Sequence, residues 1–392
     1  MESLYKTHQY LVEHLELPLR RKLMDDINWN DRLIGIKGSR GVGKTSFLLQ
    51  YAKEKFAVFD KECLYINLNN FYFTVKTIRD FAKEFRMKGG KVLLIDQVFK
   101  YPDWASDLAY CYDNFPDLQI IFTGSSVIRL KDEHSPLSNK VVSYNLRGFS
   151  FREFLELQTG CTFDSYLLDE IFQNHTDIAR EIISSVKPLA FLDDYFHHGF
   201  YPFYLEKRNF SENLLKTMNM MLEVDVLYIN QIEQSYLPKL RKLLYLLSLT
   251  TPGTPNISQL SVDIETSRAT VMNYIKYLKD ARLVNLLYPE PEDFPKKPEK
   301  LYLQNPNLLY ATRMINVERQ ALRETFFYNQ VHKDYKVNAS DKDCHFFIDG
   351  KYHFNVGEWE RGKFNPEAYY AVDGIEVGER KVIPLWLFGF LY

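Results

Sequence analysis

Lys44 closes the run Gly38-Ser39-Arg40-Gly41-Val42-Gly43-Lys44-Thr45, which has the spacing G-x-x-x-x-G-K-[ST]. This is chemistry for phosphate. Glycines let consecutive backbone N–H groups turn inward around an anion, and a lysine adds a full positive charge to them. Thr45 offers a hydroxyl suited to magnesium, and Ser46 continues the helix start whose free N–H groups face the anion. The nucleotide-binding set is therefore Gly38, Ser39, Arg40, Gly41, Val42, Gly43, Lys44, Thr45 and Ser46. A chance glycine-rich turn is the bland alternative, and the context argues against it: the apolar LIGIK precedes the run and the amphipathic SFLLQYAKEK follows it.

Two further runs supply matching groups. Val92-Leu93-Leu94-Ile95-Asp96 reads as an apolar strand ending in a carboxylate, and Asp96 suits a magnesium ion held through water, with Thr45 as its partner. Many buried strands end in an acidic turn, but this one comes a single crossover after the loop. Leu118–Thr123 is another apolar run, ending in Thr123-Gly124-Ser125-Ser126, where Ser125 or Thr123 could sense a γ-phosphate. The same cluster also suits an ordinary turn.

These groups require a parallel α/β sheet to position them. From Leu33 to about Gly148, short apolar runs alternate with amphipathic ones; LIGIK, CLYINL, KVLLID and LQIIFT are the expected strands. The expected division is a core over 1–148, a helical and aromatic-rich lid or linker over 149–236, a winged helix over 237–290 and a small α/β domain over 291–392. Leu240, Leu243, Leu244 and Leu247 make one helical stripe, and Ile257, Leu260 and Ile264 a second. A third helix, capped by Ser267, carries Val271, Tyr274, Ile275 and Leu278 on one face, and RLVNLLY follows as a strand. Its outward residues Arg268, Asn273, Lys276 and Lys279 could meet DNA, although a basic solvated face is equally ordinary. The proline-rich PEPEDFPKKPEK then breaks the chain, HFFIDGKYHFNV reads as two strands joined at Asp349-Gly350, and the terminal VIPLWLFGFLY as a buried strand and turn.

Composition removes several classes. With 49 basic and 51 acidic residues the net charge is -2, so any contact with nucleic acid needs a local patch. Four cysteines (Cys63, Cys111, Cys161, Cys344) lie far apart without a CxxC pair, which speaks against a disulfide framework or zinc site. The first residues lack the apolar stretch of a signal peptide, and the longest apolar run is about half of the roughly 20 residues a spanning helix needs. A cytoplasmic protein without membrane contact is the expectation.

The runs GSRGVGKTSFLLQY, VLLIDQ, LQIIFTGSS, LRGFSFREFLEL, TPNISQLSVDI, KPEKLYLQNPNLLYA, LRETFFYNQ and IPLWLFGFLY, taken in order, resemble a bacterial and archaeal family of AAA-like P-loop ATPases. The resemblance extends over essentially the whole chain. It implies ATP with magnesium, a middle winged helix and a C-terminal domain like a degenerate restriction endonuclease. The family usually carries Glu after the strand-end Asp, where a carboxylate takes a proton from the attacking water; this chain has Gln97, a degenerate base position. Where the family tends to carry arginines, Asn139 and Lys140 stand. The nearest substitute carboxylate is Asp103. In the C-terminal domain Glu324 matches the first residue of the family's metal set, but His345 and Asn355 occupy the strand positions and Glu358-Trp359 replaces a Gly-Lys. The resemblance therefore implies an ATP-binding switch with slow or impaired hydrolysis and no nuclease activity, read by DNA, a protein partner or a second copy of the chain. A turning-over ATPase is the alternative, and a scaffold that binds no nucleotide is disfavoured by the intact loop.

Overall fold

The computed structural model describes all residues except 129, 131–134, 207–208, 291–296, 314–316 and 359–364. Half of the proline-rich break, and Trp359, thus lie outside the described residues. The chain divides into two compact units, Met1–Gly148 and Phe149–Tyr392.

In the first unit five parallel strands lie in the order β2-β3-β4-β1-β5. They are β1 (Leu33–Gly38), β2 (Cys63–Asn67), β3 (Val92–Asp96), β4 (Gln119–Ser125) and β5 (Val142–Asn145). The helices are α1 (Glu2–Glu13), α2 (Leu23–Asp26), α3 (Lys44–Lys55), α4 (Ile78–Met87) and α5 (Trp104–Asn114). Parallel strands covered on both faces read as continuous apolar runs, and every residue of β3 is buried. In α4 the buried Ile78, Phe81, Ala82 and Phe85 fall at i, i+3, i+4 and i+7, and the Thr77 hydroxyl caps its start by accepting the Asp80 N–H at 3.1 Å. Both phenylalanines are fully buried, so Phe81→Ala would cost about 3–5 kcal/mol. The edge strand β2 is covered by α1, whose buried His8 accepts the Tyr65 N–H on Nδ1 at 3.0 Å. β5 is short and half exposed, with no apolar run, and was not among the four strands expected.

The second unit opens with α6 (Phe151–Thr159), whose Ser150 and Glu153 form a reciprocal capping pair. Then come α7 (Leu168–Ser185), α8 (Leu189–Asp194) and α9 (Phe210–Met220). After α8 the chain widens into a π-helical turn, Tyr195–Gly199. Its carbonyls at Tyr195 and Phe196 accept from Asn307 Nδ2 at 2.9 and 2.8 Å, so the loosened backbone stays satisfied.

Three helices and a hairpin follow: α10 (Leu237–Thr250), α11 (Ile257–Asp263), α12 (Arg268–Asp280), then β6 (Val284–Leu287) antiparallel to β7 (Lys300–Leu303). All four leucines of the α10 stripe are buried, as are Val271, Tyr274, Ile275 and Leu278 of α12, and Ser267 accepts the Thr270 N–H at 3.1 Å. The chain continues through α13 (Pro306–Thr312) and α14 (Arg319–Val331) to a mixed sheet ordered β12-β11-β10-β9-β8. Its strands are β8 (Val337–Asn338), β9 (Phe346–Ile348), β10 (Tyr352–Gly357), β11 (Ala368–Val372) and β12 (Val382–Pro384). Asp349 and Gly350 join β9 to β10 with positive φ of 50° and 65°, the tight turn expected there. In the terminal run only Val382–Pro384 is strand; Leu385–Phe390 winds into a 3-10 helix in which every residue is buried.

Candidate phosphate and magnesium site

The loop Gly38–Gly43 leaves the C-terminal end of β1 and enters α3. Gly41 and Gly43 hold φ of 84° and 91°, where a side chain is strained, and a Cβ on Gly38 would stand 2.4 Å from the Leu146 carbonyl oxygen. The glycines are therefore needed as backbone. The buried Arg21 spans the loop and the end of the unit, donating to the carbonyls of Val42 at 3.4 Å, Arg147 at 2.8 Å and Gly148 at 3.2 Å. Lys44 Nζ turns back on the loop and donates to the carbonyls of Gly38 at 2.9 Å and Ser39 at 2.7 Å.

Asp96 ends β3 one strand from β1, with β4 between, and is 1% exposed. Its Oδ2 accepts the Thr45 hydroxyl at 2.7 Å and the Tyr65 hydroxyl at 2.9 Å, with Asn67 Nδ2 at 3.5 Å. Its Oδ1 accepts the Thr123 hydroxyl, whose oxygen in turn accepts the Gln97 N–H at 3.0 Å. The structure thus brings together Lys44, Thr45, Asp96 and Thr123. Ser125, also buried, accepts the Val127 N–H at 3.4 Å instead. Gln97 has φ of 57°, a left-handed conformation uncommon for any residue but glycine, imposed where β3 turns into the next segment. Neither Tyr65 nor Asn67 was singled out from the sequence. The signal existed only in the register: Asn67 pairs with Asp96, and Tyr65, two residues earlier on the same strand face, reaches it diagonally.

The residues fit a magnesium nucleotide. Thr45 and Asp96 are already in contact beside the loop, a hydroxyl and a buried carboxylate of the hardness magnesium prefers. Burial, and then the Asp96 charge, hold the Tyr65 phenol well above its ordinary pKa, so it remains a donor throughout the working pH range. Asp103 is exposed at the start of α5, where its carbonyl accepts the Ser106 hydroxyl at 3.0 Å. Lys140 pairs with Asp113 on α5 and lies over the Tyr112 ring, while Asn139 shares its turn.

In the second unit Glu324 is buried on α14 and fully occupied. Its Oε2 accepts the Tyr302 hydroxyl at 2.9 Å and lies 3.6 Å from Lys300 Nζ; its Oε1 accepts Gln320 Nε2 at 3.0 Å and lies 3.5 Å from His345 Nε2. His345 Nδ1 accepts the Val356 N–H at 3.1 Å, which places the ring proton on Nε2, toward Glu324, and burial lowers the pKa of the ring. Asn355 Nδ2 points at Cys344 Sγ, 3.4 Å away. Cys344 and His345 lie just before β9 rather than within it. Among the described residues no three His, Cys, Asp or Glu side chains are grouped to hold a metal ion. Glu324 thus sits in a ring of donors that ties α14 to β7 and to the residue just before β9.

On α12 Arg268, Asn273 and Lys279 are exposed and Lys276 is half-buried. The three basic residues fall within roughly 80° of arc on a helix of 3.6 residues per turn.

Residues 30–155 match the model of a family described as an AAA domain, and residues 190–319 match a domain of unknown function, DUF8612. The uncharacterized protein MJ1637 of Methanocaldococcus jannaschii is 25% identical over 292 residues, covering 71% of this chain and 61% of the relative, so the match spans about three-fifths of that protein's length. Among solved structures, a RuvB variant from Thermotoga maritima is 16% identical with a TM-score of 0.28, covering 74% of this chain and 90% of that one. PCH-2 of C. elegans is 15% identical with a TM-score of 0.24, covering 71% of this chain and 66% of that one. The five-stranded parallel sheet, the loop between β1 and α3 and the AAA-domain match make the first unit a P-loop NTPase fold of AAA-like type. No helix among the described residues is long and apolar enough to cross a membrane.

Proposed function

We propose that the chain is an ATP- and magnesium-binding switch whose hydrolysis is slow. The observation that carries the reading is the 2.7 Å contact between Thr45 and Asp96 beside a glycine loop on a P-loop fold. Backbone N–H groups of the loop, the start of α3 and Lys44 would hold the phosphates. Thr45 would ligate the magnesium ion, which would draw charge from the β and γ phosphates, and Asp96 would hold that ion through its waters. Thr123 would link this carboxylate to the backbone at Gln97, with Ser125 the second hydroxyl at the end of β4. A glutamine can orient the attacking water but cannot take its proton. Lys140, engaged with Asp113, supplies no bidentate guanidinium to steady transition-state charge. ATP occupancy would then be read out by the second unit, where the three helices and hairpin serve as a winged helix and the C-terminal sheet as a restriction-endonuclease-like fold without its metal set, in a cytoplasmic protein.

The test is single-turnover phosphate release with the intact mass of the bound nucleotide. Wild type should retain ATP with release slowed by roughly two to four powers of ten relative to a carboxylate-bearing site. Gln97→Glu should raise the rate, and the further changes Asn139→Arg and Lys140→Arg should raise it more. Brisk wild-type release that Gln97→Glu leaves unchanged would place the base elsewhere and favour a turning-over ATPase.

The exposed Arg268, Asn273 and Lys279, with the half-buried Lys276, favour a second reading of the output. In it α12 enters a DNA groove and ATP sets the conformation in which it does so.

A further inference from the structure

We infer that Tyr65 is a positioning residue for the magnesium ion, a role that rests on the nucleotide-site reading above. The hydroxyl donates to Asp96 Oδ2 at 2.9 Å, the same oxygen that Thr45 contacts at 2.7 Å. From β2, outside the loop and outside β3 and β4, it makes the short bond to Asp96, while Asn67 Nδ2 on the same strand stands at 3.5 Å. Thr45 must offer oxygen lone pairs to a metal, and Thr123 must serve both Asp96 and the Gln97 amide. The Tyr65 oxygen accepts from Asn67 Nδ2 at 3.5 Å, which leaves its proton for Asp96.

The carboxylate of Asp96 can aim at a metal-bound water only if its plane is held. A buried carboxylate rotates freely about its terminal torsion unless donors fix both oxygens. Thr123 fixes Oδ1 from β4, and Tyr65 fixes Oδ2 from β2, so the plane is pinned from the two strands that flank β3. The ring is itself held: Tyr65 is 5% exposed, and its backbone N–H is bonded to His8. Outer groups of this kind typically change metal affinity by about 10–100-fold when removed.

The experiment is a metal titration on the full chain, read by manganese electron paramagnetic resonance with a non-hydrolysable ATP analogue bound, for wild type and Tyr65→Phe. A parallel measurement gives the affinity for the same analogue in EDTA. Tyr65→Phe should weaken manganese binding about tenfold while leaving the metal-free nucleotide affinity at the wild-type value. A residue that merely fills space would move neither or both. Tyr65→Met reads the same hydroxyl with a different filling of the site, should the phenylalanine variant not fold. Wild-type manganese affinity in either folded variant overturns the role of Tyr65 while leaving the nucleotide site standing. Absence of analogue binding in wild type overturns both.

Discussion

Lys44→Ala removes the side-chain charge proposed to reach the β and γ phosphates, so calorimetry should find tight MgATP binding lost. Unchanged affinity would sink the phosphate assignment. Gln97 sets the opposite expectation, since losing a proton acceptor lowers turnover and leaves affinity nearly intact; binding and hydrolysis should separate in the phosphate-release series. Those residues were legible because their chemistry is local: Gly38 to Ser46 are consecutive, and Asp96 ends an apolar strand. Tyr65 was not legible. Nothing in CLYINL distinguishes a core tyrosine from one whose hydroxyl meets a carboxylate 31 residues away, because that contact exists only once β2 lies beside β3. His8 was hidden for the same reason, its partner being an edge-strand amide 57 residues on.

Elements were read best where periodicity was strong and long. The stripes of α10 and α12, the turn at Asp349-Gly350 and four of the five core strands follow from spacing and turn chemistry that act within a few residues. β5 escaped because Val-Ser-Tyr-Asn becomes a strand only by pairing with β1. The π-helical turn at Tyr195–Gly199 escaped too, since it is sustained by Asn307, more than a hundred residues away. At this scale the α12 reading can be tested. Reversing Lys276 and Lys279 to Glu should weaken DNA binding at all sequences alike and flatten its salt dependence, because phosphate contacts carry no sequence information. A wild type with no salt-dependent mobility shift would leave α12 an ordinary solvated face.

For the molecule as a whole, the near balance of 49 basic against 51 acidic residues leaves pH dependence to individual buried groups. His8 is the clearest. Burial lowers its pKa from 6.5 to about 4, and the Tyr65 N–H occupies the nitrogen a proton would need. The unfolded chain therefore binds the proton first as pH falls. The stabilisation is complete above about 6.5 and is lost as pH falls from there through about 4, amounting to roughly 3 kcal/mol. Urea unfolding of the full chain at pH 7 and pH 5 should show about 2 kcal/mol of this loss, and His8→Gln should flatten that share of the slope. An unaltered slope would mean that α1 does not close on β2 in solution. With two compact units, such curves should be followed by a probe in the first, since one transition need not describe both.

The folded-back Lys44 gives the loop an entry fee. Its ammonium already satisfies the carbonyls of Gly38 and Ser39, and an incoming anion must offer more than those two dipoles combined. Charged hydrogen bonds are worth about 1.5–3 kcal/mol each. If the loop binds phosphates as proposed, a singly charged or diffuse anion should gain less from drawing the lysine away than a polyphosphate, which carries several formal charges to the same point. On the proposed reading Lys44 would discriminate as well as bind, sorting anions by charge density before shape is read.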